Sequence, residues 1–239
     1  MGKVRESGLI RLNPPLWHSR YVHLKLLKKH IKRWVEDYIK PSNINTLIDM
    51  GCGDLPYKSL LSPHVKNFIG VDIEGNSEAD TYVDLETNRT EIKDDIADLV
   101  WSVQVLEHVE DPHAYLNECN RVLKKGEKLL LSTHGHWLYH PDPVDNWRWT
   151  CTGLKKEIER AGFKVHEVRG MMGLLSMSVQ LFQDACLIHF PLVKYWKAPF
   201  CFVIQRIIQL TEFYTNLSKT TRAYVDKDAC IFFVVAEKI

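Results

Sequence analysis

The chain has 239 residues, 31 Lys and Arg against 30 Asp and Glu for a formal charge of +1, and a hydrophobic content of 45%. That length suits one large domain with a substantial core and is short for two, and the near-balanced charge excludes a globally cationic nucleic-acid binder. Six cysteines, Cys52, Cys119, Cys151, Cys186, Cys201 and Cys230, are scattered without a C-x-x-C pair. With no secretory pattern read ahead of them, reduced thiols in a cytoplasmic setting are expected rather than disulfides or zinc.

Met1 to Pro15 has few apolar anchors and ends in Asn13-Pro14-Pro15, which predicts a loosely held lead-in. From Tyr21 to Lys40, Leu24, Leu27, Ile31, Trp34, Val35 and Tyr38 recur at helical spacing, while Lys25, Lys28, Lys29, Lys32 and Arg33 crowd the rest of the surface. Two readings of this basic amphipathic helix stand: a solvated outer face, or contact with anionic lipid or a phosphorylated substrate. Pro41-Ser42-Asn43 ends it.

Strand-like runs then follow at Leu47-Ile48, Phe68 to Ile73, Tyr82 to Leu85 and Ala97 to Ser102, alternating with helical segments. That alternation predicts a parallel sheet with helices on both faces and ligands at the carboxyl ends of the strands. His113 to Leu123 reads as a helix closed by Lys124-Lys125-Gly126, and Leu129 to Ser132 as the fifth strand. Beyond an irregular loop, Cys151 or Thr152 can cap a helix to Ala161, Gly162 terminates it, Phe163 to Val168 is the next strand and Ile231 to Ala236 the last.

About sixty residues, Gly170 to Lys227, separate those two strands, too many for a simple turn. They are rich in Met, Leu, Ile, Phe and Trp, yet Asp184, Lys194, Lys197 and Arg206 interrupt every run before it reaches membrane-spanning length. In the second half Phe200, Val203, Ile204, Ile207, Ile208 and Thr211 recur at helical spacing with Gln205, Arg206, Gln209 and Glu212 opposite. Both a helical cap packed on the core and a cap that also lies on a membrane or grips a lipid-like acceptor fit this pattern. The expected organisation is one domain over 1–239: an N-terminal segment and basic helix 1–45, a core 46–169, the apolar helical insertion 170–227 and the last strand 228–239.

The densest signal is Leu47-Ile48-Asp49-Met50-Gly51-Cys52-Gly53-Asp54, a buried strand running into a glycine turn that lets a ligand approach backbone. Asp72 lies roughly twenty residues on, at the end of the second strand, where a nucleotide-binding α/β unit holds a ribose diol. A dinucleotide oxidoreductase fingerprint would want a small residue where this chain has Pro56. The order Asp-x-Gly-x-Gly, Asp72, Asp84 and then Gln104-Val105-Leu106-Glu107-His108-Val109 resembles the class I S-adenosylmethionine-dependent methyltransferases, from Thr46 to Gly170 and again from Asp228 onward. The resemblance implies an α/β, Rossmann-like sheet, mostly parallel with the last strand antiparallel, carrying the helical insertion before that strand. It also implies S-adenosylmethionine as methyl donor, with S-adenosylhomocysteine as product. Asp49, Gly51 and Gly53 would then shape the turn around the methionine and ribose, Asp72 take the ribose hydroxyls and Ile73 the adenine face, Asp84 and Leu85 flank the adenine, and Ser102, Val103 and Gln104 line the amino-acid end. Glu107 and His108 match a recurrent family sequence, as direct participants or as a helix start that fixes the loop.

The loop after the fifth strand, Ser132 to Thr150, gathers histidines, aspartates, an arginine and several large aromatics, a mixture suited to a hydroxyl-rich ring. His140-Pro141 followed by Asp145-x-Trp147-Arg148-x-Thr150 resembles the loop of methyltransferases of surface-polysaccharide and related glycan pathways. His140 is the expected general base and His136 the reserve, because imidazole has a pKa matched to deprotonating a hydroxyl. Equally, His140 can fix the loop through Asp142 or Asp145, and Arg148 can either bind an acidic group or pair with Asp145. His134, His136, His140 and Asp142 match no zinc spacing, and no metal is expected. The expected activity is O-methylation of a sugar or glycan, lipid-linked in one version, at the inner membrane face, with membrane contact through 21–40 and 170–215 and no nucleic acid. The alternatives are a quinone or other small lipid ring as acceptor, and a non-catalytic donor-binding scaffold.

Overall fold

The computed structural model describes residues 8–239. In sequence the elements are α1 (Gly8–Leu12), α2 (Tyr21–Trp34) with a π-helical turn Val35–Ile39, β1 (Thr46–Met50), α3 (Lys58–Leu61), β2 (Asn67–Asp72), β3 (Thr81–Asp84), β4 (Arg89–Thr90) and β5 (Ala97–Val103). They continue with α4 (Pro112–Val122), β6 (Leu123–His134), α5 (Cys151–Arg160), β7 (Phe163–Gly173), α6 (Leu174–His189), α7 (Lys197–Leu217), α8 (Lys219–Val225) and β8 (Ala229–Lys238).

The eight strands form one sheet in the order β4-β3-β2-β1-β5-β6-β8-β7. β3, β2, β1, β5 and β6 pair in parallel, while β8 runs antiparallel to both β6 and β7, as expected of the last strand. The short β4, antiparallel to β3, has no counterpart in the sequence reading. Two apolar layers cover the two faces. Leu47, Trp101 and Phe233 pack with Ile31 and Trp34 of α2, whereas Ile48, Val100 and Leu131 pack with Leu116 of α4 and Ile158 of α5. Trp34 meets Trp101 and Phe233 edge-on, with ring centroids 5.4 and 5.1 Å apart. Burial on both faces explains why β1 reads as a continuous apolar run.

Several boundaries differ from expectation for local reasons. The lead-in expected over Met1 to Pro15 lies outside the described residues up to Ser7, and Gly8–Leu12 is helical. α4 starts at Pro112 because the Asp111 carboxylate accepts from the backbone N–H groups of His113 and Ala114 at 2.9 and 3.0 Å. α5 is capped by Thr150, not Cys151 or Thr152, its hydroxyl accepting from Gly153 N at 3.1 Å. Lys124-Lys125-Gly126 is absorbed into β6, whose register shifts between Ala97 and Leu99 of its neighbour. β7 runs to Gly173 beside β8, five residues past the expected end at Val168, so the helical insertion is 174–225. Gly170 admits this packing: a Cβ there would lie 2.0 Å from the Val225 carbonyl oxygen. All six cysteines are free.

In α2 the apolar stripe is buried as expected and Lys25, Lys29 and Lys32 are exposed, but Arg33 is engaged with Glu167 at 2.9 Å and Asp37 at 3.0 Å. The largest departure is α7. Its buried side holds Gln205 and Glu212 with Ile204 and Ile208, while Val203 and Ile207 face outward.

Candidate active site

The carboxyl ends of β1, β2 and β5 open onto a cavity of about 390 Å³, within the range of small-molecule sites. β1 delivers Asp49, which is 3% exposed, and then the turn Gly51-Cys52-Gly53. Gly51 has φ +80° and its N–H donates to the Val71 carbonyl at 2.8 Å, so the turn hangs from the end of β2. Across it, Asp72 Oδ2 accepts from Gly53 N at 2.8 Å and from Asn76 Nδ2 at 2.7 Å, and Oδ1 accepts from Ile73 N at 2.8 Å. After β5, Gln104 takes φ +61°, a conformation costly for a residue with a Cβ. Two bonds to Ser132 hold it there, from its N–H to the carbonyl at 2.9 Å and from its Nε2 to the hydroxyl at 3.1 Å.

Asp49, Gly51, Gly53, Asp72, Ile73, Leu85, Val103 and Gln104 all line the cavity, together with His140. Asp84 and Ser102 do not. The Asp84 carboxylate is exposed and caps its own turn, accepting from Glu86 N at 2.8 Å, and Ser102 is buried against the Tyr115 hydroxyl at 2.7 Å. His136 lies on the outside, its exposed ring paired with Asp228. Arg148 forks onto Asp145 and donates to the carbonyls of Trp137 at 3.0 Å and Leu138 at 2.7 Å, which makes it the clasp of the loop rather than a wall of the cavity. The spacing of the motif put these side chains near the mouth, but which way each points depends on partners distant in sequence.

Residues absent from the expected set also line the cavity. Tyr115 of α4 donates to the Met50 carbonyl at 3.1 Å, and Arg11, Tyr57, Val105 and Val109 are among the other residues of the wall. Val105 and Val109 flank the Leu106-Glu107-His108 run and could have been read from it, whereas nothing local marks Arg11 or Tyr57.

Glu107 and His108 divide their roles. Glu107 is fully buried; its Oε2 accepts from the Thr133 hydroxyl at 2.8 Å, and its carbonyl accepts from the N–H groups of Asn146 and Trp147 at 2.9 and 3.1 Å. Burial pushes its pKa up. It anchors the long loop. His108 lines the cavity 5.7 Å from the His140 ring, and its Nδ1 donates to the Val144 carbonyl. Burial, and then the neighbouring His108, lower the His140 pKa, so its ring is neutral at pH 7.

The lining fits S-adenosylmethionine. A buried acid stands near one end of the glycine turn and Asp72 at the other, and space beside Gly53 is open, with no atom within 4 Å of where its Cβ would be. Burial, reinforced by Asp72, raises the Asp49 pKa to about 8. The α-ammonium that S-adenosylmethionine and S-adenosylhomocysteine share favours the carboxylate when it lies beside Asp49, so binding should release a proton below pH 8, and affinity should rise with pH between 6 and 8. Calorimetric titration with S-adenosylhomocysteine in buffers of different ionisation heat measures this release. Asp49→Asn should abolish it; equal release from both proteins would remove Asp49 as its source.

Residues 20–168 match the model of a family described as a methyltransferase domain. A Mycolicibacterium smegmatis protein named as a probable S-adenosylmethionine-dependent methyltransferase is 26% identical over an alignment of 141 positions that covers 52% of this chain and 54% of that protein. The chain thus spans about half the length of that curated relative. Among solved structures, an S-adenosylmethionine-dependent methyltransferase from Archaeoglobus fulgidus superposes with TM-score 0.54 at 17% identity, covering 96% of this chain and 97% of the other. One from Mesorhizobium loti gives TM-score 0.54 at 13% identity, covering 92% and 98%. At such identities the two structures speak for the fold. The family match takes in more than half of the chain, including every strand end that walls the cavity, and by it the chain belongs to the methyltransferase-domain family, of the S-adenosylmethionine-dependent kind.

Proposed function

We propose that the protein methylates a hydroxyl of a sugar or glycan carried on a lipid, with His140 as general base. The observation that carries this reading is that His140, neutral at pH 7, lines the same cavity as the glycine turn and Asp72. Bound S-adenosylmethionine supplies an electrophilic methyl group. The chain's own groups hold and align: Asp72 faces the ribose position, Ile73 and Leu85 offer apolar contact for the adenine, and Val103 and Gln104 border the amino-acid end. His140 takes the acceptor's proton on an imidazole nitrogen as the oxygen attacks, and the His108 ring lies 5.7 Å away on the same cavity wall. The polar and aromatic loop from His134 to Thr150 suits a hydroxyl-rich ring. A cytoplasmic membrane face, touched through 21–40 and 170–215, goes with an acceptor borne on lipid. A quinone or other small lipid ring is the second reading, favoured by the large apolar surface of the insertion.

Transfer of labelled methyl groups from S-adenosylmethionine into a lipid extract, followed by separation of glycolipids from quinones, tests the acceptor. His140→Ala should lower kcat at least roughly 100-fold while His136→Ala stays within about twofold. With S-adenosylmethionine saturating, so that the Asp49-linked change in affinity does not enter, the wild-type rate should fall only as pH drops below about 6.5, through the lowered pKa of His140. Unchanged turnover in His140→Ala would remove the assigned base, and label in neither lipid class with donor binding intact would favour a non-catalytic scaffold.

A further inference from the structure

The insertion between β7 and β8 buries polar side chains beside Met177, Ile204 and Ile208 while much of its apolar surface faces outward. Gln180, Gln183 and Gln205 are fully buried, and Ser176, Asp184 and Glu212 lie on the same inner sides of α6 and α7. The three glutamines converge on one backbone oxygen: their Nε2 atoms donate to the Ser19 carbonyl at 3.1, 2.7 and 2.9 Å. Gln205 also reaches the Oε1 atoms of Gln180 and Gln183, both at 3.0 Å, and its own Oε1 accepts from Val22 N at 2.8 Å. Such a network sets the rotation of both helices, since turning either outward would strand buried polar atoms.

What faces outward is therefore apolar. On α7, Val203, Ile207, Leu210, Tyr214 and Leu217 form one stripe at alternating four- and three-residue steps, all exposed, and the exposed Phe213 lies beside it with its ring 5.9 Å from that of Tyr214. On α6, Leu174, Leu181 and Ile188 repeat every seven residues, also exposed. The connection adds Tyr195 and Trp196, which are 84% and 71% exposed. A face of this size is far beyond the scattered apolar residues of an ordinary surface.

Charge decides what covers it. The acids within 174–225 are Asp184 and Glu212, and both are buried. Lys197 and Lys219 are exposed, and the Arg206 guanidinium lies over the rings of Tyr21 and Phe202 at 5.3 and 5.0 Å. Lys25 sits over the other partner in that contact, Tyr21, at 5.6 Å, so the exposed lysines of α2 adjoin the same face. An apolar surface rimmed by cations, with its acids turned inward, complements an anionic bilayer. A two-fold contact with a second copy would instead set cation against cation.

We propose that the outer face of α6 and α7 lies in the headgroup region of an anionic bilayer, with Tyr195 and Trp196 at the interface and the lysines of α2 on lipid phosphates. None of the described helices is long and apolar enough to cross a membrane, so the contact is monotopic. The segment from Arg11, on the cavity wall, leads within a few residues to Trp17, which shares a shallow depression with Tyr195 and Lys197. Docking would thus bring the cavity close to the lipid surface. The proposal rests on the lipid-borne acceptor for its purpose, and on the outer faces of α6 and α7 for its geometry.

The purified full-length protein, at low salt, is floated with vesicles of phosphatidylcholine containing about one-third phosphatidylglycerol and with vesicles of phosphatidylcholine alone. The expected result is partition onto the anionic vesicles, reduced at least roughly tenfold in the double variant Leu210→Glu with Phe213→Glu and in Lys25→Glu with Lys29→Glu. S-adenosylhomocysteine affinity should be unchanged in both variants, which separates lost docking from lost folding. No partition of the wild type overturns the proposal. So does a wild-type dimer by light scattering that Leu210→Glu with Phe213→Glu dissociates, because the face then belongs to a second copy. His140→Ala should float as the wild type does, so failure of the chemistry and failure of docking are read apart.

Discussion

Replacing Gly51 by alanine is expected to weaken S-adenosylhomocysteine binding at least roughly 100-fold while the protein still folds. Two independent strains meet at this residue. Its φ of +80° is left-handed, which costs an L-residue roughly 1–2 kcal/mol. A Cβ there would also lie 2.4 and 2.6 Å from the two Val105 methyl carbons, closer than real contacts allow. Overpacking of this kind costs about 1–3 kcal/mol. Relief requires the loop carrying Gln104 to His108 to retreat or the glycine turn to swing into the cavity, and either deforms the donor wall. Total strain of about 2–5 kcal/mol corresponds to a fall in melting temperature of roughly 4–20 °C for a chain of this size. Isothermal titration reads the affinity and circular dichroism the fold. Affinity within about threefold of wild type would show that the turn is not shaped for the ligand.

Gln205→Ala should be among the most destabilising single changes outside the sheet. Its amide reaches Ser19, Gln180 and Gln183 and receives Val22 N–H, all in buried or half-buried surroundings. Truncation leaves a backbone donor and two glutamine oxygens short of a partner, and each such group costs about 1–3 kcal/mol unless water reaches it. A loss of about 3 kcal/mol, or roughly 6–12 °C in melting temperature, is the expected result. Gln205→Glu should recover little, because its carboxylate can accept from Val22 but cannot donate to three oxygens. Hydrogen exchange at the start of α2 should rise in both variants. A melting temperature unchanged by Gln205→Ala would mean that water satisfies the site and that the glutamines do not set the rotation of α7.

The contrast between these two residues shows what was legible. Gly51 announces itself: a glycine at the end of an apolar strand, followed by acids at set distances, has few physical uses, and the cavity lies where the pattern put it. Asp84 and His136 sat at the right distances too, yet one caps its own turn and the other pairs with Asp228. Distance along the chain places a residue near the mouth but does not aim its side chain.

The sequence by itself determined the alternating architecture, the glycine turn with Asp72 opposite, and the existence of a helical insertion, because these follow from local periodicity and from residues with narrow conformational uses; the reversed last strand was implied by the resemblance to the methyltransferases. Only the tertiary structure decided the wall supplied by Arg11 and Tyr57, the reduction of Arg148 to a loop clasp, and the outward face of α7. Helical periodicity identifies two faces and ordinarily assigns the apolar one inward, since burying apolar surface is favourable. Here Ser19 and the start of α2 offer polar partners to Gln180, Gln183 and Gln205, and that pairing across 161 to 186 residues turns Gln205 inward beside Ile204 and Ile208 and leaves Val203 and Ile207 outside.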